Sequence, residues 1–375
     1  MKKGMILLVV AVAAVVVVLV SVNRSKAGRA EVRIGAILPL TGDLASYGQN
    51  ARDGMMLLAD QINAKGGVEG RKLTVIFEDS RTLPDQAVSA INKLISVDNV
   101  VAIIGDVASS ATLAMAPVAN RNKIVVVSPA ASSPDVTLAG PYIYRVWPSD
   151  TFEADRMAEY VKKEGIRDIA ILFLNNDYGH AMTKEFRKAL GADANIILRE
   201  ETFDQNATDI RTQLTRVRES NAKSLYLISY PKDTAIILRQ FKELAIKASI
   251  LSTSPLEDPL VIKEVGNVVE GAIFTSPIPP DASDPIVAGF KQTYEQKFGK
   301  QPGVVADYAY DALSTVVEAM KQAKDTSRIG VATGMERIKD LHGATGIINF
   351  DVNGDVVKPA GIKTVSHGTY TWKQK

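Results

Sequence analysis

The chain has 375 residues, which is long enough for two domains with substantial cores. Its 44 Lys and Arg residues nearly balance its 42 Asp and Glu residues, so it lacks the basic footprint typical of nucleic-acid-binding proteins. It contains no cysteine, which excludes disulfides and thiolate metal sites.

Residues 1–30 differ in kind from the rest of the chain. Lys2 and Lys3 precede an almost unbroken apolar run over residues 5–22, a pattern that predicts an export signal. An uncleaved membrane anchor is the alternative, because the run approaches the roughly 18 apolar residues of a spanning helix. In both cases the chain beyond residue 30 is expected in the periplasm or an equivalent extracytoplasmic space, either free or tethered to the inner membrane.

Beyond residue 30, short apolar runs alternate with segments of helical period, which predicts βαβ units and parallel sheets. In the first series, strands are predicted at Val32–Leu38, Lys72–Glu78, Val100–Ile104 and Ile124–Val127, with helices at Tyr47–Ala64, Pro84–Val97 and Ser109–Ala119. In the second series, strands are predicted at Ile169–Leu174, Asn195–Glu201, Ser224–Ile228 and Ser249–Leu251, with helices at Ala181–Leu190, Asp209–Glu219 and Thr234–Leu244. The predicted fold class is therefore α/β, with two doubly wound lobes.

The two lobes are predicted to be joined more than once. Proline-bearing segments at 144–150 and 275–281 are typical of extended connectors, because proline fixes φ and biases its predecessor toward extended geometry. Helices predicted at Pro285–Phe298 and Val304–Ala323 indicate a return to the first lobe. The predicted domains are a first lobe of 31–146 plus 281–346 and a second lobe of 147–280 plus 347–375.

The segment Asp351–Asp355, DVNGD, superficially resembles the start of a calcium-binding loop. Val356 occupies the sixth position, where the loop needs glycine, and Ile362 occupies the twelfth, where it needs a carboxylate. The pattern instead predicts a hairpin around the Asn-Gly turn at Asn353 and Gly354.

Signals of catalysis and of cofactor binding are absent from the sequence. His180, His342 and His367 fit no metal-ligand spacing, and the glycine-rich segment at 66–70 lacks the spacing of a dinucleotide or phosphate loop. The chain also contains no nucleophile elbow and no zinc-protease helix. We therefore predict no catalytic residue, no metal site and no cofactor.

Three loops follow predicted strands of the first series, at the edge where open α/β sheets bind ligands. The loop at 39–48 offers Tyr47 as an aromatic wall, the loop at 105–112 opens a helix at Ser109, and the loop at 128–133 is rich in hydroxyls. Hydroxyls beside a helix N-terminus suit a carboxylate. The alternative is that the serines serve only as turn and cap residues.

The matching loops of the second series carry aromatic and acidic residues: Tyr178, Tyr230, Glu257 and Asp258. Tyrosine walls with a carboxylate nearby suit an ammonium group, by ion pairing and cation–π attraction. Glu257 and Asp258 could equally begin a helix, where carboxylates are favoured.

These residues carry a family resemblance. The blocks IGAILPLTGDLASYGQNARDGMMLLADQIN, VVAIIGDVASSAT, VVVSPAASSPDVT and ADYAYDAL occur in order and cover almost the whole exported chain. They closely resemble the leucine/isoleucine/valine-binding group of periplasmic solute-binding proteins, the type I binding proteins of ABC transporters. The resemblance implies two α/β lobes that are joined by three hinge segments and close on a ligand.

The resemblance also implies roles for individual residues. It makes Tyr47 an aromatic wall, Ser109 the serine that binds the ligand carboxylate, and Ala130 the carbonyl that receives its ammonium group. Tyr178 and Tyr230 match residues that close over the ligand. The expected carboxylate partner of the ammonium falls at Glu257 or at Asp258, because this loop departs from the commonest pattern. The whole expected ligand-binding set is Tyr47, Ser109, Ser110, Ala130, Ala131, Ser132, Tyr178, Tyr230, Glu257 and Asp258.

The expected function is capture of a branched-chain or other aliphatic amino acid and its delivery to an ABC transporter permease, without chemical conversion. The alternatives are a sensory ligand-binding protein and a binder of amides or small aromatic carboxylates. A transcriptional repressor of the same fold is disfavoured, because an export signal stands where such repressors carry a helix-turn-helix.

Overall fold

The computed structural model describes residues 31–375, and the predicted export signal or anchor at 1–30 lies outside this part of the chain. Within residues 31–375, no helix is both long and apolar enough to cross a membrane.

The first sheet has five parallel strands and is built from the N-terminal βαβ series. Its elements are β1 (Glu31–Leu38), α1 (Ala45–Ala64), β2 (Lys72–Asp79), α2 (Pro84–Ser96), β3 (Ala102–Gly105), α3 (Ser109–Asn122), β4 (Val125–Ser128) and β5 (Ile143–Arg145). The strand order is β2-β1-β3-β4-β5. This is the flavodoxin-like doubly wound order, whose switch point lies between β1 and β3.

The second sheet repeats this order and adds two antiparallel strands at one edge. Its series comprises α4 (Asp150–Lys163), β6 (Ile169–Leu174), α5 (Asp177–Leu190), β7 (Ile197–Phe203), α6 (Arg211–Glu219), β8 (Ser224–Ile228), α7 (Pro231–Glu243), β9 (Ser249–Ser252), α8 (Pro259–Val265) and β10 (Ile273–Pro277). The later elements are α9 (Pro285–Phe298), α10 (Ala306–Ala323), α11 (Arg328–Met335), β11 (Leu341–Gly343), β12 (Gly346–Ile348), β13 (Ala360–Ser366) and β14 (Thr369–Gln374). The order β7-β6-β8-β9-β10-β13-β14 places the second switch point between β6 and β8.

The helices after β10 return to the first sheet. Helix α10 packs against α1, and Gly54 allows this close approach. A Cβ atom at Gly54 would lie 2.0 Å from the carbonyl oxygen of Ala306. We use "first lobe" for the first sheet with α1–α3 and α9–α11, and "second lobe" for the second sheet with α4–α8.

The structure confirms the predicted alternation of strands and helices, and the bounds of β6, β8 and α9 are those predicted. Helix α5 begins at Asp177 rather than at Ala181, because the Asn176 side chain caps it by accepting a hydrogen bond from the Gly179 amide at 3.0 Å. Strands β5 and β10 overlap the predicted extended connectors at 144–150 and 275–281, whereas β11, β13 and β14 were not predicted.

The predicted hairpin around Asn353 and Gly354 is reduced to a turn. The Asp351 amide donates to the Asp355 carbonyl at 2.9 Å, but only one bridge pair, Phe350 with Val356, flanks it. The regular hairpins form instead between β11 and β12 and between β13 and β14.

The chain passes between the lobes in three segments, after β5, after β10 and before β13. The predicted third passage lies at residues 346–347. The Arg145 amide donates to the Gly354 carbonyl at 3.1 Å, and the Arg145 guanidinium binds Asp355, so the turn at 351–355 is attached to the first sheet. The lobe boundaries themselves stay a prediction.

Candidate functional site

A small cavity of about 30 Å³ lies between the two lobes, where their switch points face each other. Tyr47 follows β1 and Ser109 follows β3, on either side of the first switch point. Tyr178 and Tyr230 follow β6 and β8 in the same way in the second lobe. Because doubly wound sheets bind ligands outside the carboxyl ends of strands at such points, this cavity is the candidate binding site.

The structure brings six of the predicted residues together around the cavity. They are Tyr47, Ser109, Ala130, Ser132, Tyr178 and Tyr230. Trp147 from the first passage between the lobes and Ser254 from the loop after β9 also line it, and neither was predicted.

A Tyr-Gly pair lies in the first turn of α1 and of α5 and places a tyrosine at the cavity. A Cβ atom at Gly48 would lie 2.1 Å from the Pro39 carbonyl oxygen, and one at Gly179 would lie 1.9 Å from the Leu174 carbonyl oxygen. Glycine therefore lets each helix begin directly against the end of the preceding strand. This close approach places the residue before it, Tyr47 or Tyr178, in the cleft.

The hydroxyl loop, Ser128–Ser133, is held by its own first serine. The Ser128 hydroxyl donates to the Asp106 carbonyl at 2.6 Å and accepts from the Ala131 amide at 2.8 Å. Ser128 is fully buried, so these bonds form in a low-dielectric interior where they are strengthened.

Arg145 supports the same loop from behind. Its guanidinium donates to the carbonyls of Ser132 at 3.0 Å and Ser133 at 2.8 Å. It also forms two bonds of 2.6 Å to the two carboxylate oxygens of Asp355. The side chain is fully buried, and its donors are spent on protein groups. Arg145 therefore shapes the site without lying on the cavity wall.

Ser109 joins the hydroxyl loop to the start of α3. Its Oγ accepts a hydrogen bond from the Ser133 amide at 3.1 Å, and Ser109 is the first residue of α3. A hydroxyl that accepts one bond still has its proton to donate. The helix N-terminus adds a partial positive charge at the same place, so the pair suits an anionic group.

Aromatic rings form the second-lobe wall of the cavity. The rings of Tyr178 and Tyr230 stack with centroids 5.7 Å apart and an interplanar angle of 9°. The hydroxyl of Tyr178 shares a 2.7 Å hydrogen bond with that of Thr253, and the Asn176 amide donates to the Tyr230 hydroxyl at 3.2 Å. These bonds fix both rings in place, with apolar faces available to a ligand.

Four predicted residues lie away from the cavity wall. Ala131 is fully buried, and the Ser110 Oγ accepts from the Asp177 amide of the second lobe at 3.2 Å. Glu257 forms an ion pair with Lys363 and accepts from the Ser276 hydroxyl at 2.7 Å.

Asp258 lies at the start of a helix, which was the alternative to a role in binding an ammonium group. Its carboxylate caps α8 by accepting from the Leu260 amide at 2.9 Å. It also accepts from the Ser46 hydroxyl of the first lobe at 2.6 Å. Asp258 therefore serves the helix and the contact between the lobes.

Further hydrogen bonds join the lobes around the cavity. Lys232 pairs with Asp43 at 2.8 Å, and the Gln205 side chain donates to the Thr82 carbonyl at 3.2 Å. The cleft is thus closed in this structure. Entry of a ligand into the cavity therefore requires the lobes to separate.

Two acidic residues that sequence reasoning missed lie behind the cavity wall. Asp150 and Glu153, in the first turn of α4, are each only 2% exposed. Burial raises the pKa of Glu153 to about 6, and burial followed by the charge of Glu153 raises the pKa of Asp150 well above its usual range. The sequence gives only a weak signal for these two acids, because acids are equally common in the first turn of helices that lie on the surface.

The geometry can be compared with known proteins. Residues 31–367 match the sequence profile of a family described as periplasmic binding protein. The Leu/Ile/Val-binding protein BraC3 of Rhizobium johnstonii is 26% identical over 348 residues, which are 92% of each chain. Among solved structures, a leucine-binding protein LivK of Thermotoga maritima is 29% identical, with a TM-score of 0.85 over 91% of this chain and 97% of that one. The substrate-binding protein LivJ of Streptococcus pneumoniae, in complex with isoleucine, is 24% identical, with a TM-score of 0.81 and the same coverage.

Proposed function

Because the chain belongs to the periplasmic binding protein family, we propose that it captures a branched-chain or other aliphatic amino acid and delivers it to an ABC transporter. The family implies an extracytoplasmic location for the binding domain. The names of the relatives support the ligand class, since they include leucine-binding and Leu/Ile/Val-binding proteins.

One observation carries this proposal above the others: a serine hydroxyl, a helix N-terminus and stacked tyrosines meet in one interlobe cavity. Ser109 and the first amides of α3 would bind the ligand carboxylate. Ala130 would offer its carbonyl to the ammonium group, beside Ser132. Tyr47, Tyr178 and Tyr230 would enclose the aliphatic side chain.

The mechanism is capture by closure, without a chemical step. Ligand docks on the first lobe, and residues 31–146 with 281 to about 355 then move as one body against the rest. Contacts made to both lobes at once favour the closed form, including those of Ser46, Ser110 and Asp43 across the cleft. The transporter would then recognise the closed form.

Thermal unfolding of the purified protein against a panel of amino acids, amides and small aromatic acids tests this function. A ligand at about a hundred times its dissociation constant stabilises by about 2.7 kcal/mol, a rise in Tm of roughly 5 to 10 °C. We expect this rise with leucine, isoleucine or valine. A rise only with compounds that lack the α-ammonium group would overturn the ligand class.

A further inference from the structure

Helix α4 begins with two buried acids on one face. Asp150 and Glu153 are three residues apart, so their side chains are neighbours on the helix surface. Acids in the first turn of a helix normally lie in solvent, whereas these two are almost fully buried. Burial of two like charges side by side is costly unless a positive charge or several hydrogen bonds compensate for it.

Asp150 stands directly behind one wall of the cavity. Its amide donates to the carbonyl of Ser132 at 2.8 Å, and Ser132 lines the cavity. One of its carboxylate oxygens is buried and has no hydrogen-bond partner among residues 31–375. Its charge also acts on Tyr178: burial, and after it Asp150, raises the pKa of the Tyr178 hydroxyl.

Glu153 stands behind a second wall. One of its carboxylate oxygens accepts from the Ser254 amide at 3.2 Å and from the Thr275 hydroxyl at 2.6 Å. Ser254 lines the cavity. Each acid is therefore hydrogen-bonded to a residue that lines the cavity, Asp150 to Ser132 and Glu153 to Ser254.

Neither acid forms an ion pair within the described part of the chain. A hydrogen bond from the Ser132 side chain and then the charge of Arg145 lower the pKa of Asp150, but the Arg145 guanidinium is bound to Asp355 and to carbonyls of the hydroxyl loop. The charge of Glu185 in α5 raises the pKa of Asp150, and the charge of Glu257 raises the pKa of Glu153. The surroundings of the pair thus have a deficit of positive charge.

The two acids predicted from the sequence differ in this respect. Glu257 already has Lys363 as its cation, and the Asp258 carboxylate accepts from the Leu260 amide of α8 and from the Ser46 hydroxyl. None of the four acids lines the cavity itself, so the difference between the two pairs lies in how far their charge is compensated. A cationic group that enters the cavity would therefore meet uncompensated negative charge from α4 rather than from the loop after β9.

We propose that Asp150 and Glu153 select ligands with an ammonium group, by supplying the negative charge that compensates it inside the closed cleft. This inference rests on the proposed function and names the charge partner that it requires. Direct contact is not needed for the effect, because unit charges interact strongly over several ångströms where water is excluded.

Binding of an ammonium group should change the protonation of Glu153. The pKa of Glu153 is about 6, and a bound ammonium group would lower it. Binding of an amino acid near pH 6 should therefore release protons, and affinity should fall as the pH is lowered and the acids become protonated. A carboxylic acid without the ammonium group should not release protons.

Titration calorimetry with leucine and with isocaproate, which is leucine without its ammonium group, tests the proposal. We expect Asp150→Asn or Glu153→Gln to weaken leucine binding by roughly tenfold to a hundredfold, as expected when a charge several ångströms from the ammonium group is removed at an effective dielectric constant of about 20. Isocaproate affinity should stay unchanged or improve in the same variants. Glu159→Gln, which removes an exposed acid from the same helix, is the matched control and should change the ratio of the two affinities less than threefold.

An unchanged ratio of leucine to isocaproate affinity in both α4 variants would overturn the proposal while the function stands. A protein that binds isocaproate and no amino acid would overturn both. If the variants do not fold, leucine titrations of the unaltered protein at pH 6, in buffers of different ionisation enthalpy, decide the matter. Proton release with leucine supports the proposal, and its absence contradicts it.

Discussion

The two sides of the cleft differ in how completely their polar groups are paired. In the first lobe, the hydroxyl loop is tied down by Ser128 and by the Arg145–Asp355 pair, so its hydroxyls are fixed before any ligand arrives. In the second lobe, one carboxylate oxygen of Asp150 and both of Asp233 are buried without hydrogen-bond partners among residues 31–375, and in the first lobe this holds for one carboxylate oxygen of Asp106 and for the Tyr47 hydroxyl. The hydroxyl loop is therefore preorganised for an anionic group, whereas the second lobe holds more of the buried carboxylate oxygens that stay unpaired in the closed cleft.

Removal of the buried Arg145 guanidinium should destabilise the first-lobe side of the cleft more than any other change considered below. Arg145→Met keeps much of the side-chain volume but leaves two loop carbonyls without their donor and Asp355 without its cation. Loss of one partner of a buried pair costs about 3 to 5 kcal/mol, so Tm should fall by roughly 10 °C. The matched control is Arg211→Met, whose ion pairs to Asp209 and Glu243 are exposed. Equal shifts in thermal unfolding for the two variants would contradict the role of Arg145.

The next largest effect is expected at the carboxylate-binding hydroxyl. Ser109→Ala should weaken amino-acid binding by about 1.5 to 3 kcal/mol, or roughly tenfold to a hundredfold, because a hydrogen bond to a charged group is lost. Ser96→Ala in α2, an exposed serine of the same lobe, should leave binding unchanged. Unchanged affinity of the Ser109 variant in titration calorimetry would sink its assignment.

Much of the preorganised side could be predicted from the sequence, because its signals are local. The apolar run of β4 and the serines that follow it are neighbours in the chain. The pairing of Arg145 with Asp355 could not be predicted, since the two residues are 210 positions apart and meet only through the return of the chain to the first sheet.

The acidic residues on the second-lobe side of the cleft were predicted less well, because their surroundings also depend on residues that are distant in the sequence. Glu257 is compensated by Lys363, a residue of β13 that no local pattern places beside it. Asp150 and Glu153 carry the same first-turn pattern as acids on a solvated helix, so their burial depends on the packing of α4 against α5, β10 and β13.

The unpaired charge of the second side should also make stability depend on pH. Burial, and after it the charge of Asp43, raises the pKa of Asp233 to about 7, whereas its value in the unfolded chain is about 3.9. The folded state therefore holds this proton more tightly, and the stability that it contributes is lost as the pH rises from about 4 to 7.

The Asp233→Asn variant has no carboxyl group at this position, so it should not show this loss of stability with rising pH. Since the asparagine stays only partly hydrogen-bonded, the net gain in unfolding free energy should be about 1 kcal/mol above pH 7 and should vanish near pH 4. Denaturant unfolding at several pH values measures it. A gain that is the same at pH 4 and at pH 8 would contradict the raised pKa.

The smallest expected effect belongs to the ion pair across the cleft. Lys232→Met removes the partner of Asp43, which should weaken the closed form and ligand binding by about 1 kcal/mol or less. The loss should shrink in high salt, because the Lys232 ammonium group is half exposed although Asp43 is buried. Lys300→Met removes an equally exposed lysine that pairs with Asp53 within the first lobe, and it should leave ligand affinity unchanged. Equal effects of the two variants on affinity would remove the ion pair from the closure mechanism.

A crystal structure of the protein with leucine bound tests the central claim most directly. We predict that the ligand lies between Tyr47 and Tyr178, with a carboxylate oxygen about 3 Å from the Ser109 hydroxyl and the ammonium group on the side of Ala130 and α4. A ligand outside the cleft, or one whose carboxylate faces the second lobe, would contradict the account.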